Sequence, residues 1–138
     1  MTGSLAVCGC SNTLHSDWLS CFYTQQQVLD ETKDVTRRLG WAKLKPGELF
    51  WMVEKGQGLK KGEKIKRLKL CRCKSNRSER LDKMLSYGYG RVEAKREGFP
   101  QMTGRQFVEM FCGYMKVEPS QVVNRIEFEY VERAESAR

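Results

Sequence analysis

Lys33 and Thr36 stand three residues apart, with Arg37 and Arg38 directly behind them. On a helical turn that spacing sets an amine and a hydroxyl on one face. A threonine hydroxyl is a poor nucleophile until a neighbour takes its proton. A lysine can do so only when burial or nearby positive charge lowers its own pKa, and the two arginines are placed to supply that charge. The plainer alternative is a helix C-terminus dressed with cations that suit its dipole. Glu97, between Arg96 and Gly98-Phe99-Pro100, is the carboxylate that would complete a catalytic group. Facing the lysine, it would hold the ammonium and raise its pKa, which gives it orientation or acid work; left exposed, it would pair with Lys95 or Arg96.

Other chemistries lack their residues. His15 is the only histidine, so a histidine triad, a helical His-Glu-x-x-His zinc site and a two-histidine iron site have no material. Cys8 with Cys10 and Cys71 with Cys73 are C-x-C pairs, whereas zinc sites usually set paired cysteines two to four residues apart. On a strand, Cys71 and Cys73 point to one face as small hydrophobes, and no metal is expected. Gly56-Gln57-Gly58 lacks the last glycine of a dinucleotide fingerprint, and no phosphate-loop lysine follows a strand, so no nucleotide cofactor is expected either.

The 138 residues suit one domain, and 40% hydrophobic with 30% charged residues is neither a disordered nor a membrane composition. No apolar run approaches the roughly 18 residues of a spanning helix, and residues 5–10 lack the basic lead-in of a secretory signal. The expected compartment is the cytoplasm, with the six cysteines as thiols and a monomer as the default state. The net charge of +8 is uneven: residues 55–83 hold 12 basic and 3 acidic residues, an excess of +9 that leaves the rest at −1. Lys60, Lys61, Lys64, Lys66, Arg67, Lys69, Arg72 and Lys74 form this patch, which would capture phosphates with strong salt dependence. Its plain alternative is a solubilising surface. Phe50, Trp51, Tyr87 and Tyr89 flank it, and rings beside a basic track can stack on unpaired bases, which favours nucleic acid.

These residues need elements to position them. Residues 1–17 show no period and read as a flexible leader, and residues 133–138 as a flexible tail. A strand-like run covers residues 19–23. Thr24 and Gln27 read as a capping box ahead of a short helix through Val28, Leu29 and Thr32. Gly40 ends the next segment, and Lys45-Pro46-Gly47 is a turn. Residues 49–53 form a strand buried on both faces, glycines 56, 58 and 62 mark a loop, and residues 65–73 form a strand with one basic side. Leu81, Met84 and Leu85 suggest a helical turn ended by Gly88 and Gly90. Thr103 and Gln106 form a second capping box, opening a helix with Phe107, Val108, Phe111, Cys112 and Met115 at helical spacing and Gly113 near its end. Ile126, Phe128 and Tyr130 alternate with Arg125, Glu127 and Glu129, a strand with one face buried and one in water. The class is α+β, with strands able to close a small mixed barrel and two or three flanking helices.

The segment Glu31-Thr32-Lys33-Asp34-Val35-Thr36-Arg37-Arg38 resembles the G-x-K-x-x-(T/E)-x-R signature of the ASCH domain, a branch of the PUA-like superfamily. Lys33, Thr36 and Arg38 match it, while Glu31 stands where glycine is usual. Leu44-Lys45-Pro46-Gly47, the block 58–67, Glu97-Gly98-Phe99 with Phe107, and Ile126-Glu127-Phe128 are similar to a bacterial and phage subgroup, so the resemblance spans residues 18–132. It implies a small barrel with a basic cleft for RNA or a modified nucleobase or nucleoside. Arg37, Arg38, Trp51 and the patch would contribute to capture. Members similar over the Lys-x-x-Thr segment include amidohydrolases that deacylate N(4)-acetylcytidine. By motif, Thr36 would be the nucleophile, Lys33 the proton shuttle and Glu97 the orienting or acid group. A ribonuclease acting on single-stranded RNA is the remaining implied activity.

Overall fold

The computed structural model describes residues 18–20, 22–54 and 66–131. Its sheet has five strands: β1 (Trp18–Ser20), β2 (Val35–Arg38), β3 (Leu49–Val53), β4 (Arg67–Arg80) and β5 (Val122–Tyr130). The order across the sheet is β1-β3-β4-β5-β2, with β1 parallel to β3 and every other pair antiparallel. The 14-residue β4 is the spine, and its register shifts between Cys73 and Ser75. Such a bulge bends the strand and adds twist, so the sheet curls into a half-barrel. The expected α+β class holds, with three α-helices among the described residues: α1 (Gln25–Leu29), α2 (Tyr89–Arg96) and α3 (Gly104–Met115).

Alternation along β5 sorts the sheet into two faces. Ile126 and Phe128 join Phe50 and Met52 of β3, Cys71 and Cys73 of β4, Val28 of α1 and Leu44 in one core. The two β4 cysteines are therefore buried apolar residues, and burial beside Glu48 pushes the Cys73 thiol up to about 11. Val123 points the other way, into a second core with Leu81 and Met84 of a 3-10 turn (Leu81–Leu85), Ala94 of α2, and Phe107, Val108 and Phe111 of α3.

Several sequence expectations hold in detail. The Thr103/Gln106 capping box forms: Thr103 Oγ1 accepts from the Gln106 amide at 3.1 Å, and Gln106 Oε1 accepts from the Thr103 amide at 2.9 Å. The turn at Lys45-Pro46-Gly47 is present, with the Glu48 amide donating to the Lys45 carbonyl. Others are corrected. Thr24 precedes α1 but makes no side-chain cap, and that helix stops at Leu29, before Thr32. Residues 35–38 are a strand, because pairing with β5 overrides the helical spacing that Lys33 and Thr36 suggest. Gly88 and Gly90 do not end helical structure: α2 starts at Tyr89 and contains Gly90. A Cβ on Gly90 would lie 1.9 Å from the Met84 carbonyl oxygen and 2.9 Å from the Gly104 Cα, so only glycine lets α2 and α3 approach this closely beside the 3-10 turn.

Candidate functional site

The charged face of β5 is only partly in water: Glu129 is exposed and Glu127 half-buried, but Arg125 is covered. Arg125 is 3% exposed, and the register sets it directly between Arg37 of β2 and Arg77 of β4. Three guanidinium groups in one row repel one another unless carboxylates stand between them. Glu79 of β4, Glu93 of α2 and Glu97 at the end of α2 supply them. Arg37 donates to Glu79 Oε2 at 2.7 Å, to Glu93 Oε1 at 2.5 Å and to Glu97 Oε2 at 3.1 Å. Arg125 binds Glu93 in a fork, Nε to Oε1 at 2.7 Å and a terminal nitrogen to Oε2 at 3.1 Å.

Burial works against every charge here, and the partners outweigh it. Burial alone would raise Glu93, but hydrogen bonds and charge from Arg125 and Arg37 bring it down to about 2. Glu79 is lowered in the same way against burial, by Arg37, Tyr89 and Arg77. Burial lowers Arg37 and Arg125, yet the carboxylates leave both above their ordinary value. Tyr89 donates its hydroxyl to Glu79 at 2.8 Å, and burial raises its own pKa.

Lys33 enters this array from the loop before β2. Its main chain is fixed on three sides: the Lys33 amide donates to the Gln27 carbonyl, the Asp34 amide to the Arg96 carbonyl, and the Tyr130 hydroxyl to the Lys33 carbonyl. Its ammonium donates to the Glu97 carbonyl at 2.5 Å and to Glu97 Oε1 at 3.3 Å. Both side chains are about 4% exposed. An amine and a carboxylate 64 residues apart thus meet, and the second carboxylate oxygen is held by Arg37. Thr36 is carried on the opposite face of β2 from Arg37, because it pairs with Ile126; it is 2% exposed and its hydroxyl accepts from Arg38 Nε at 3.0 Å. Glu31 has a left-handed backbone, φ 62°, which gives a physical reason for glycine at that point of the signature it resembles.

The basic patch spreads differently in space than along the chain. Lys60, Lys61 and Lys64 lie outside the described residues, as do Cys8, Cys10 and His15. Lys66 and Arg67 are exposed, and the Arg67 guanidinium lies 5.0 Å from the centre of the half-buried Trp51 ring. Lys69 meets Glu31 at 3.0 Å, Arg72 meets Glu129 at 3.1 Å, and Lys74 meets Glu127 at 3.7 Å. These acids come from the α1–β2 loop and from β5, so a count restricted to residues 55–83 misses them. Phe50 is wholly buried, Tyr89 is committed to Glu79, and Tyr87 is fully exposed. The sequence reading missed Glu79, Glu93 and Arg125 as members of the array, since nothing in their spacing marks them as buried.

Taken together, this is an α+β half-barrel protein with a buried ion array on one face of its sheet and cations along its longest strand. No family model and no curated protein matches the chain. Solved structures similar to the chain include these two. A protein of Enterococcus faecalis V583 described under the family model DUF984 superposes with a TM-score of 0.56 at 16% identity, over 87% of this chain and 82% of that one, and shares its fold. An ASCH domain from Lactobacillus crispatus JV V101 gives 0.48 at 10% identity, over 84% and 80%. No helix of the described residues is long and apolar enough to cross a membrane.

Proposed function

We propose that this ASCH-like protein binds RNA or a modified nucleobase or nucleoside, with the cations of β4 and of the adjoining loop making the first contacts. The observation that carries the reading is the exposed Arg67 guanidinium over Trp51, next to Lys66. A ring backed by cations can stack on an unpaired base while its neighbours hold phosphates. The test is a salt titration with a short single-stranded RNA. Affinity falls steeply as salt rises, and Lys66→Glu with Arg67→Glu reduces the slope of log affinity against log salt. A slope near zero for the unmodified protein overturns the reading.

The Lys33–Glu97 contact favours a second reading, hydrolysis of an N(4)-acylated cytidine. Thr36 would attack the amide carbonyl, forming the ester as the cytosine amine leaves with the hydroxyl proton, and water would then release the acid. Because Thr36 faces Ile126 and Arg38 while the Lys33 ammonium is held by Glu97 on the Arg37 side, Lys33 would have to leave Glu97 and lose its proton to serve as the shuttle. Acetate release from N(4)-acetylcytidine, abolished by Thr36→Ala, supports this reading. No release at high protein concentration removes it and leaves the binding reading in place.

A further inference from the structure

Strand register puts two separate pairings of a cation with a ring on one face of the sheet. Trp51 stands opposite Leu70, and Arg72, two residues further along β4, stands opposite Glu129. Glu129, Glu127 and Arg125 alternate along β5 and so share that face. Lys74 reaches Glu127, and Arg77 stands opposite Arg125. The Trp51 end and the Arg77 end of β4 therefore belong to the same side of the sheet. Arg77 lies beyond Arg67 by 77 − 67 = 10 residues, roughly 30 Å along an extended strand.

Between those ends the charges cancel. Arg72 meets Glu129, and Lys74 and Arg96 share Glu127 and Asp34. Beneath α2, the buried cations Lys33, Arg37 and Arg125 match the buried carboxylates Glu79, Glu93 and Glu97 one for one. Arg77 is an added cation at the rim of that balanced set. Lys83, exposed on the 3-10 turn, adds a second, since its neighbour Asp82 is held by Arg80 at 2.7 Å. One half-buried ring fixes both: Arg77 donates to the Tyr89 hydroxyl at 3.2 Å, and the Lys83 ammonium lies 5.0 Å from the centre of the Tyr89 ring. Cations ordered in advance lose less side-chain freedom when a ligand arrives. Arg77 is also half exposed and bonds Glu79 only at 3.3 Å, whereas Glu79 keeps Arg37 at 2.7 Å and Tyr89 at 2.8 Å. Arg77 can thus turn to a phosphate without stranding a buried carboxylate.

We propose that Arg77 and Lys83, both fixed by Tyr89, form a second phosphate-holding station for the strand that Arg67 and Trp51 engage, so that the ligand is a single-stranded RNA running along β4 and not a lone nucleoside. This rests on the RNA-binding reading above and narrows it to a polymer. A nucleoside is far too short to reach both ends of β4, whereas a strand held at one end meets the other at a raised effective concentration. The balanced middle neither repels the strand nor adds to its hold, which leaves the two ends to set the salt dependence.

The test uses the full chain with two probes: uridine monophosphate, and an oligouridylate of about 16 nucleotides, the upper site size of single-strand-binding barrels. Arg77→Gln and Lys83→Gln should each lower the log–log salt slope for the oligonucleotide by roughly 0.7–1. In the isotope-labelled, unaltered protein the oligonucleotide should move the Trp51 indole and Arg77 Nε resonances along one titration curve. Oligonucleotide binding with shifts confined to Trp51, Lys66 and Arg67, or with a slope unchanged by Lys83→Gln, overturns the second station and leaves the RNA-binding reading in place. Uridine monophosphate bound as tightly as the oligonucleotide also overturns it. A slope near zero for the unaltered protein overturns the station together with the function it rests on. Lys83 is exposed, so its variant and the unaltered protein's resonances decide the matter even if Arg77→Gln fails to fold.

Discussion

Arg37 and Arg125 face each other directly across β2 and β5, both about 3% exposed, and Glu93 of α2 accepts hydrogen bonds from both. Two like charges in that position are tolerable only with the carboxylate between them, so the sheet depends on a helix that shares no strand with it. Glu93→Gln keeps the shape and removes the charge. Breaking a buried ion array by deleting one partner typically costs about 3–5 kcal/mol, because the remaining charges stay buried. The urea midpoint of Glu93→Gln should fall accordingly, with an unchanged slope. A loss under about 1 kcal/mol would mean that the array contributes little to stability.

The same carboxylate sets the acid limit of the fold. Glu93 is held at about 2 against an ordinary value of 4.5. A carboxylate depressed in the folded state contributes its full stabilisation above the unfolded value and loses it as pH falls through the folded one. Glu79 and Glu127 are also lowered, each against the opposing effect of burial, and act in the same direction. Stability should therefore decline from about pH 4.5 down towards pH 2, and the decline should be shallower in Glu93→Gln. Urea midpoints measured from pH 7 to pH 2 on both proteins check this.

The contrast between α3 and α2 shows what a sequence discloses. Helix α3 carries a capping box and apolar residues at helical spacing, all local signals, and it forms where they place it. Helix α2, Tyr-Gly-Arg-Val-Glu-Ala-Lys-Arg, reads as a charged stretch broken by glycine. Its reason for existing is tertiary: Gly90 admits α3, and Glu93 meets two arginines from the sheet. Burial of Arg125 was hidden for the same reason, since alternation says which residues share a face but not what covers it. The pairing of Lys33 with Glu97 was reachable only through the family resemblance, because spacing alone gives no contact over 64 residues.

Gly90 offers a direct check on the helix crossing. Alanine is the better helix former by about 1 kcal/mol, so propensity alone predicts that Gly90→Ala stabilises α2. The added Cβ would stand 1.9 Å from the Met84 carbonyl oxygen, a backbone atom that cannot rotate away. Steric conflict should win, with a loss of about 1–3 kcal/mol or more on thermal or urea unfolding. A stabilised variant would show that α2 and α3 do not cross as described.

Glu31 couples the strained turn before Lys33 to the basic strand. Its φ of 62° costs an ordinary residue on the order of 1 kcal/mol, and its ion pair with Lys69 is half exposed, worth about 0–1 kcal/mol. Glu31→Gly relieves the first and forfeits the second, while the freer unfolded chain costs about 0.4–1 kcal/mol. Stability should change by less than about 1 kcal/mol. Binding should not be neutral. Lys69 loses the carboxylate that now occupies it, and one more cation becomes available to phosphate. Under the proposed function, Glu31→Gly binds single-stranded RNA more tightly at low salt and steepens the log–log salt slope by about one. Fluorescence anisotropy over a salt series measures both, and an unchanged slope would place Lys69 outside the contact surface.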